Sequence, residues 1–340
     1  MQRKNSKTMF VKVSVIMVML VQLTGIGPRG VTAQYTGPTL ACGGTSLLKT
    51  TTLISPAQIG TNGAATSCSY TIRAINLRVC QLRLDFNSFN LAAPTIDPYP
   101  ICSIDTLSIQ NLDFNLCGEN SGQHVYVPFN PTLAEMTMAI NFNLGTRLAG
   151  QAAPYWNIRV QQLECPIGAS FASKLAIRTE STGLAKTFHN DLGVLAPTGC
   201  LQYHTAVTGV IKSFNFNMGG PYIGDMHYAI CFRRLRTNTA LKLYADVFDL
   251  ASNDDVGIDD SCFSRIETIG RSEDYLYIPD GRAMPNGNTI RATRFCGQSI
   301  HQKSAETSAP GPFVLQFNSD TIYGANGARE TGFHITYEIV

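Results

Sequence analysis

The last ten residues of the chain read Thr331-Gly-Phe-His-Ile-Thr-Tyr-Glu-Ile-Val340. The apolar side chains of Phe333, Ile335, Tyr337 and Ile339 alternate with polar ones. Strict alternation is typical of a β-strand that buries one face and exposes the other. The stretch therefore predicts a strand that contributes one face to a hydrophobic core.

The same two-residue period recurs along the chain. Apolar and polar residues alternate in three further stretches, which are residues 82–86, 136–142 and 156–160. Pairs that end in glycine, typical of turns, punctuate these runs at Asn62, Cys117, Asp280, Asn286 and Asn326. We find no comparable helical period beyond the N-terminal leader. Short strands at this spacing predict an all-β protein built of antiparallel β-sandwiches.

Residues 1–33 have the organisation of a secretory signal peptide. Arg3 and Lys4 belong to a basic start, and the apolar run 13–23 is shorter than the roughly 20 residues that span a bilayer. Val31-Thr-Ala33 offers a small-residue cleavage site, and a signal anchor is the alternative. We expect a secreted, extracellular protein with no membrane span after cleavage.

The charge balance argues against a nucleic-acid partner. The 340 residues include 26 basic and 24 acidic ones, and 44% of the chain is hydrophobic. Five of the basic residues and none of the acidic ones lie in the leader, so its removal changes the net charge from +2 to −3. The longest basic cluster, Arg233-Arg234-Leu-Arg236, is short and lacks interleaved aromatic residues. We interpret it as a solvated strand end.

All ten cysteines lie in the mature chain, at positions 42, 68, 80, 102, 117, 165, 200, 231, 262 and 296. An even number in an oxidising compartment predicts a disulfide framework. The cysteines divide six and four around a stretch rich in Gly, Ser and Thr, residues 166–199, which we interpret as a linker. This division predicts two domains, residues 42–165 and 200–340.

The second half carries a specific set of motifs. These are Phe248-Asp-Leu250, Asp274-Tyr-Leu276, Arg294-Phe-Cys-Gly297, Phe317-Asn-Ser-Asp320 and Gly332-Phe-His-Ile-Thr-Tyr337. With them the chain resembles the CUB domain family. The first half matches less fully, because Phe142-Asn-Leu144 stands where the family has a Ser-Asp step. More narrowly, Gly199-Cys-Leu-Gln-Tyr-His204 and Val79-Cys-Gln-Leu-Arg-Leu-Asp-Phe86 resemble stretches of secreted arthropod proteins with paired CUB-like domains.

The resemblance implies two jelly-roll-like antiparallel sandwiches and a disulfide pattern. The family bonds the first cysteine to the second and the third to the fourth. Carried onto this chain, that pattern implies the pairs Cys42–Cys68, Cys102–Cys117, Cys200–Cys231 and Cys262–Cys296. It leaves Cys80 and Cys165 to pair with each other. Spacing alone leaves the six cysteines of the first half open to 15 connectivities.

The resemblance also implies a place where calcium would bind, since many CUB domains hold this ion at one end of the sandwich. Two of the family's three acidic ligands have counterparts here, Asp274 and Asp320, but the glutamate position falls on Ala251. Losing one anionic ligand weakens an oxygen cage. Substitute oxygens are available in Asn253-Asp-Asp255 and Asp259-Asp260. The first half retains only Asp105. We expect no cofactor, with calcium at Asp274 and Asp320 as the alternative.

Catalytic motifs are absent from the sequence. The chain has no Gly-x-Ser-x-Gly and no His-Glu-x-x-His. Its six histidines are His124, His189, His204, His227, His301 and His334. We interpret them as structural or solvent-facing. The favoured function is a non-enzymatic recognition or adhesion module whose loops bind an extracellular protein or glycan. The alternative is a structural component of an extracellular matrix or coating, and an enzyme or its inactive relic is a third hypothesis.

Overall fold

A computed structural model describes residues 37–57, 59, 64–96, 99–147, 152–166, 190–216, 220–251, 256–266, 270–283, 289–322 and 330–340. The predicted signal peptide and residues 167–189 of the predicted linker lie outside this range. Residues Thr36–Val340 form one compact unit. The regular structure of the described residues is almost entirely β, as the alternation of the sequence predicts, and it includes single turns of 3-10 helix at Asn190–Gly193 and Asp259–Cys262.

The first half of the chain forms a sandwich of two sheets. One sheet has the strand order β1-β3-β9-β5-β7. Its strands are β1 (Thr39–Leu40), β3 (Thr50–Ile54), β5 (Val79–Asn90), β7 (His124–Pro128) and β9 (Tyr155–Glu164). The other sheet has the order β2-β4-β8-β6. Its strands are β2 (Thr45–Ser46), β4 (Thr66–Arg73), β6 (Asp105–Ile109) and β8 (Thr137–Leu144). All pairs are antiparallel except β1 with β3 and β2 with β4.

The second half forms a sandwich from one ten-stranded sheet that folds onto itself, with the path β10-β12-β20-β17-β19-β13-β21-β11. Its first five strands in chain order are β10 (Cys200–His204), β11 (Thr208–Lys212), β12 (Met226–Phe232), β13 (Leu241–Asp249) and β14 (Val256–Ile258). The other five are β17 (Tyr275–Ala283), β18 (Ile290–Gly297), β19 (Lys303–Thr307), β20 (Phe313–Ser319) and β21 (Gly332–Ile339). A separate two-stranded sheet joins β15 (Ser264–Ile266) and β16 (Gly270–Ser272). In the ten-stranded sheet, only β10 and β12 are parallel.

Strand β17 links the two layers of the second sandwich. Its start pairs with β20, and its end pairs with β19. Between these parts the register with β18 shifts from Tyr277 to Gly281, and Asp280 has a φ of 48°. The Asp280-Gly281 pair, whose composition suggests a turn, is therefore a bulge inside a strand. A bulge bends a strand and increases its twist, which allows one strand to serve two sheets.

The core of each sandwich consists of the inward-facing residues that the alternation identifies. In β21, Phe333, Ile335 and Tyr337 are at most 2% exposed, whereas His334 and Thr336 point outward. In the first sandwich, the single tryptophan, Trp156, stacks on Phe142 with ring centroids 3.9 Å apart. Its indole nitrogen donates to the hydroxyl of Tyr70 at 3.0 Å. The prediction that Trp156 belongs to the core is confirmed.

Five disulfides lie within the sandwiches, and none joins one sandwich to the other. They are Cys42–Cys68, Cys80–Cys165, Cys102–Cys117, Cys200–Cys231 and Cys262–Cys296. Four of them are the pairs that the family resemblance implies, and Cys80–Cys165 joins the two cysteines that it leaves over. No described cysteine is free. Because each bond limits the freedom of the unfolded chain, every one is expected to stabilise its own sandwich by about 2–4 kcal/mol.

The two sandwiches meet along a polar junction between β7 and β10. The backbone N–H of Tyr203 donates to Nε2 of His124 at 3.0 Å. Nε2 of Gln202 donates to Oε1 of Gln123 at 3.1 Å, and Nε2 of Gln123 donates to the carbonyl of Ser213 at 3.2 Å. Buried polar groups must find partners to offset their lost hydration, so these bonds fix the register between the sandwiches.

The two halves also come into close contact at Gly118 and Asn215. The backbone N–H of Asn215 donates to Oδ1 of Asn120 at 2.7 Å, and Oδ1 of Asn215 accepts from the N–H of Glu119 at 3.1 Å. A Cβ atom at Gly118 would lie 1.9 Å from that same Oδ1, and Gly118 has a φ of +73°. Only glycine fits this position, because it combines a left-handed backbone with no side chain.

Part of the predicted linker packs against the first sandwich. Asp191 is buried, and its carboxylate accepts from Nζ of Lys49 at 2.7 Å and from the N–H of Glu164 at 3.0 Å. Gln81 exchanges two hydrogen bonds with the backbone of Ala196, at 2.8 and 3.1 Å. Residues 190–199 therefore serve as an extension of the first sandwich that leads into β10.

Candidate functional site

The two predicted calcium ligands meet at one end of the second sandwich. Asp274, just before β17, is 1% exposed, and its Oδ1 accepts from the N–H of Asp320 at 2.6 Å. Its Oδ2 accepts from the hydroxyl of Tyr222. Asp320, just after β20, accepts from the N–H groups of Glu273 and Ile322, each at 2.6 Å. The two carboxylates therefore connect the ends of two paired strands.

This end of the sandwich strongly disfavours negative charge. Burial, followed by the charge of Asp320, raises the pKa of Asp274 to about 7, although the hydrogen bond from Tyr222 lowers it in part. Burial and the neighbouring Asp274 and Glu330 also raise the pKa of Tyr222 well above its usual value. Glu330 is fully buried, and its carbonyl accepts from the N–H of Tyr222 at 3.1 Å. Glu330 was not singled out from the sequence, because it lies outside the family motifs.

The position that would supply the third carboxylate of the implied calcium site is occupied by an alanine. Ala251 stands at the glutamate position, is 1% exposed and has no side-chain oxygen, and its N–H donates to the hydroxyl of Tyr222 at 3.1 Å. Calcium takes six to eight oxygen ligands. Within the described part of the chain, no group of three or more His, Cys, Asp and Glu side chains is arranged to hold a metal ion.

Of the suggested substitute ligands, the structure describes Asp259 and Asp260. Asn253, Asp254 and Asp255 lie outside the described residues. The carboxylate of Asp259 accepts from the backbone N–H groups of Thr293 and Arg294, at 2.8 and 3.0 Å. Asp259 therefore ties the loop after β14 to β18.

The first sandwich has an equivalent position. The β6–β8 register pairs Leu107 with Phe142, and the β17–β20 register pairs Leu276 with Phe317. An aspartate lies two residues before each leucine, which makes Asp105 the counterpart of the buried aspartate of the second sandwich. Matching registers place the two carboxylates at the same end of their respective sandwiches.

An arginine occupies this end of the first sandwich. Both terminal nitrogens of Arg147 donate to the carboxylate of Asp105, and the side chains are 7% and 0% exposed. The same carboxylate accepts from the N–H groups of Ala92 at 2.8 Å and Gly145 at 3.1 Å. The guanidinium thus supplies a fixed positive charge beside the buried carboxylate of Asp105. Sequence reasoning missed Arg147, since only the tertiary structure brings it to Asp105.

Introducing a glutamate at position 251 tests whether its absence prevents calcium binding. Ala251→Glu should make the thermal stability calcium-dependent, because it adds a third carboxylate beside Asp274 and Asp320. Each kcal/mol of calcium binding energy should raise Tm by about 2–4 °C, measured as the difference between millimolar calcium and EDTA. Without calcium the variant should be less stable than wild type, since a charge is then buried without a counterion.

Ala251→Gln is the matched control, because it has the same length and no charge. Its Tm, like that of the wild-type protein, should not respond to calcium. An equal response of the Glu and Gln variants would contradict the role assigned to the missing carboxylate.

Two histidines meet at the junction between the sandwiches. The rings of His124 and His204 lie 4.9 Å apart. Burial, followed by the charge of Arg83, lowers the pKa of His124 to about 3. Burial, followed by His124 and Arg83, lowers the pKa of His204 to about 3 as well. Both imidazoles are therefore neutral at physiological pH, and no motif in the sequence indicates that they are neighbours.

The other described histidines have separate environments. Nδ1 of His301 accepts from the N–H of Phe248 at 3.1 Å, and His334 lies 2.9 Å from a carboxylate oxygen of Asp246. His227 is exposed, and His189 lies outside the described residues. In the basic cluster, Arg234 lies over the ring of Phe313, 4.2 Å from its centroid, so at least this residue has a packing role. No helix in the described ranges is long and apolar enough to cross a membrane.

Comparison with known protein families identifies a match in the second sandwich. Residues 197–340 match the family model of the animal CUB domain. The CUB resemblance that the sequence motifs indicate is thereby confirmed for this part of the chain. No curated protein matches the chain.

Several solved structures also match the chain. The CUB1-EGF-CUB2 domains of rat MASP-1 are 13% identical, with a TM-score of 0.27, and the match covers 88% of this chain and all of that one. The same domains of human MASP-1/3 are 14% identical, with a TM-score of 0.27 and coverage of 86% and 100%. The extracellular region of zebrafish Gpr126/Adgrg6 is 9% identical, with a TM-score of 0.26 and coverage of 88% and 36%.

Proposed function

We propose that this protein, whose residues 197–340 match the animal CUB domain, is a secreted, non-enzymatic recognition module that binds another extracellular protein. CUB domains typically mediate protein–protein interaction. The observation that carries the proposal is the polar junction, at which the two sandwiches pack together and present surfaces built from both. Rigid β-sandwiches commonly carry their binding residues on such surfaces and loops.

The chemistry of the described side chains supports binding rather than catalysis. A general base needs a pKa near the working pH and access to a substrate. His124 and His204 are buried with pKa values of about 3, and Asp274 is enclosed by Tyr222 and the backbone of Asp320. Five disulfides support an oxidising, extracellular location.

Affinity capture with the mature chain from residue 34 tests the proposal. The bait is immobilised and exposed to extracellular fluid, with calcium in one arm and EDTA in the other. We expect saturable capture of a defined protein in both arms. Saturable self-association would favour the matrix alternative, capture of glycans alone would favour a lectin, and no saturable ligand would contradict the proposal.

A matched pair of glycine variants tests whether the joined sandwiches act together. Gly118→Ala places a Cβ against Asn215 across the junction, whereas Gly122→Ala has a similar positive φ, +79°, with no atom within 4 Å. Both variants bear the same backbone strain, so only the first should also disturb the junction. Capture should weaken in Gly118→Ala and persist in Gly122→Ala.

A further inference from the structure

A groove of about 360 Å³ lies between the two sandwiches and is lined by residues of both. Its walls from the first sandwich include Leu112, Phe114 and Pro128, and those from the second include Leu201 and Tyr228. Its volume is within the range of ligand-binding pockets, and its lining combines apolar residues with polar and acidic ones. Both sandwiches contribute to the groove, so it exists only when they are joined.

Two carboxylates give the rim a negative charge. Asp113 and Asp225 line the groove and are exposed, and neither side chain forms an ion pair or hydrogen bond with another described residue. Several other described aspartates form ion pairs, such as Asp105 with Arg147 and Asp191 with Lys49. No described Lys or Arg lines the groove.

The rim is held in an unusual backbone conformation. Asn111 has a φ of 71° and Asp225 a φ of 55°, values that few residues other than glycine adopt. The side chain of Asn111 donates to the carbonyl of Pro128 at 3.0 Å, and the N–H of Asp225 donates to the carbonyl of Asp320 at 2.9 Å. Such conformations persist only where surrounding contacts impose them, and they are common at ligand sites. These contacts hold the backbone at Asn111 and Asp225, and so fix where their side chains leave the rim.

We propose that this groove binds an exposed segment of a partner protein in which a Lys or Arg side chain lies next to a large apolar one. The proposal rests on the recognition function proposed above and names its surface and the chemistry of its ligand. The apolar residue packs against Leu112 and Phe114, the aliphatic stem of the basic residue continues along the wall, and its charged end reaches Asp113 and Asp225. Acidic polymers are disfavoured by the same carboxylates.

A pair of short peptides serves as the probe. Acetyl-Gly-Lys-Phe-Lys-Gly-amide and its counterpart with Glu in place of both Lys are titrated into the mature protein, with binding followed by NMR shifts. We expect saturable shifts from the basic peptide at groove residues and none from the acidic one. Asp113→Asn/Asp225→Asn should weaken the basic peptide about tenfold, and higher salt should weaken it as well.

Asp260→Asn/Glu338→Gln is the matched control, because it removes the same charge from exposed positions outside the groove. It should leave the affinity unchanged. Equal weakening in both double variants, or shifts away from the groove, would overturn the proposal. A partner captured equally well by wild type and by Asp113→Asn/Asp225→Asn would refute the groove while leaving the recognition function standing.

Discussion

Arg147→Ala is expected to lower the free energy of unfolding by about 3–5 kcal/mol, because it leaves the carboxylate of Asp105 buried without its counterion. Asp105 is fully buried, and the guanidinium contacts both of its oxygens. Two backbone N–H groups, from Ala92 and Gly145, remain in the variant. They satisfy hydrogen bonds but supply no full positive charge, so the penalty should remain large.

Urea unfolding of the mature protein measures this effect. Arg159→Ala is the control, since Arg159 is 40% exposed and lies 3.9 Å from its partner Asp85. An exposed pair of this kind contributes at most about 1 kcal/mol. A loss below that value in Arg147→Ala would contradict the role assigned to the buried pair. Arg147→Lys should cause an intermediate loss of stability, because it keeps the charge but cannot form the bidentate contact.

Acidification from pH 6.5 towards pH 4 is expected to weaken the folded state through the two junction histidines. In the unfolded chain both protonate near pH 6.5, whereas in the folded protein the pKa values of His124 and His204 are about 3. The unfolded state therefore binds more protons between these values. Stability from this source is complete above pH 6.5 and falls by about 1.4 kcal/mol per pH unit for each histidine.

The histidine effect is isolated by comparison with His204→Phe. The ring of His204 already packs against Phe232 and Tyr337, with centroids 5.4 Å away in each case, so an aromatic replacement preserves much of the packing. The variant should lose about half of the histidine-dependent slope. His227→Gln, at an exposed position, should retain the wild-type slope. Parallel curves for wild type and His204→Phe would contradict the assignment.

Asp274 opposes this pH dependence. Its pKa in the folded protein is about 7, against 3.8 for the ordinary side chain. The folded state therefore binds the extra proton in this range, and the stabilising contribution is complete below pH 3.8 and lost as the pH rises through 7. Asp274→Asn should remove this compensation and steepen the loss of stability on acidification, as measured by urea unfolding at a series of pH values.

The strands were predictable because they follow a local rule. Alternation in residues 82–86, 156–160 and 333–339 reports which side chains face the core, and these stretches lie in β5, β9 and β21. The bulge in β17 was not predictable from Asp280-Gly281. The same dipeptide suits a turn and a bulge, and the choice depends on which strands lie beside it.

The candidate calcium ligands also show which features can be predicted from the sequence and which cannot. The motifs identify Asp274 and Asp320, and the structure brings both to one end of a sandwich. The partners that determine their chemistry, Tyr222 and Glu330, are 52 and 56 positions from Asp274 in the chain and belong to no motif. In the first sandwich the same is true of Arg147, which lies 42 positions from Asp105.

The all-β class, the alternating core positions and, through the family resemblance, the second sandwich follow from the chain's local patterns, because they depend on side-chain period and on short motifs. The tertiary structure alone decided how the two sandwiches join. It placed His124 beside His204, Gly118 against Asn215, and the unpaired Asp113 and Asp225 on one groove. These contacts join residues that are distant in the chain. They could not be predicted from it, because the burial and electrostatic environment of a side chain depend on neighbours that only folding brings together.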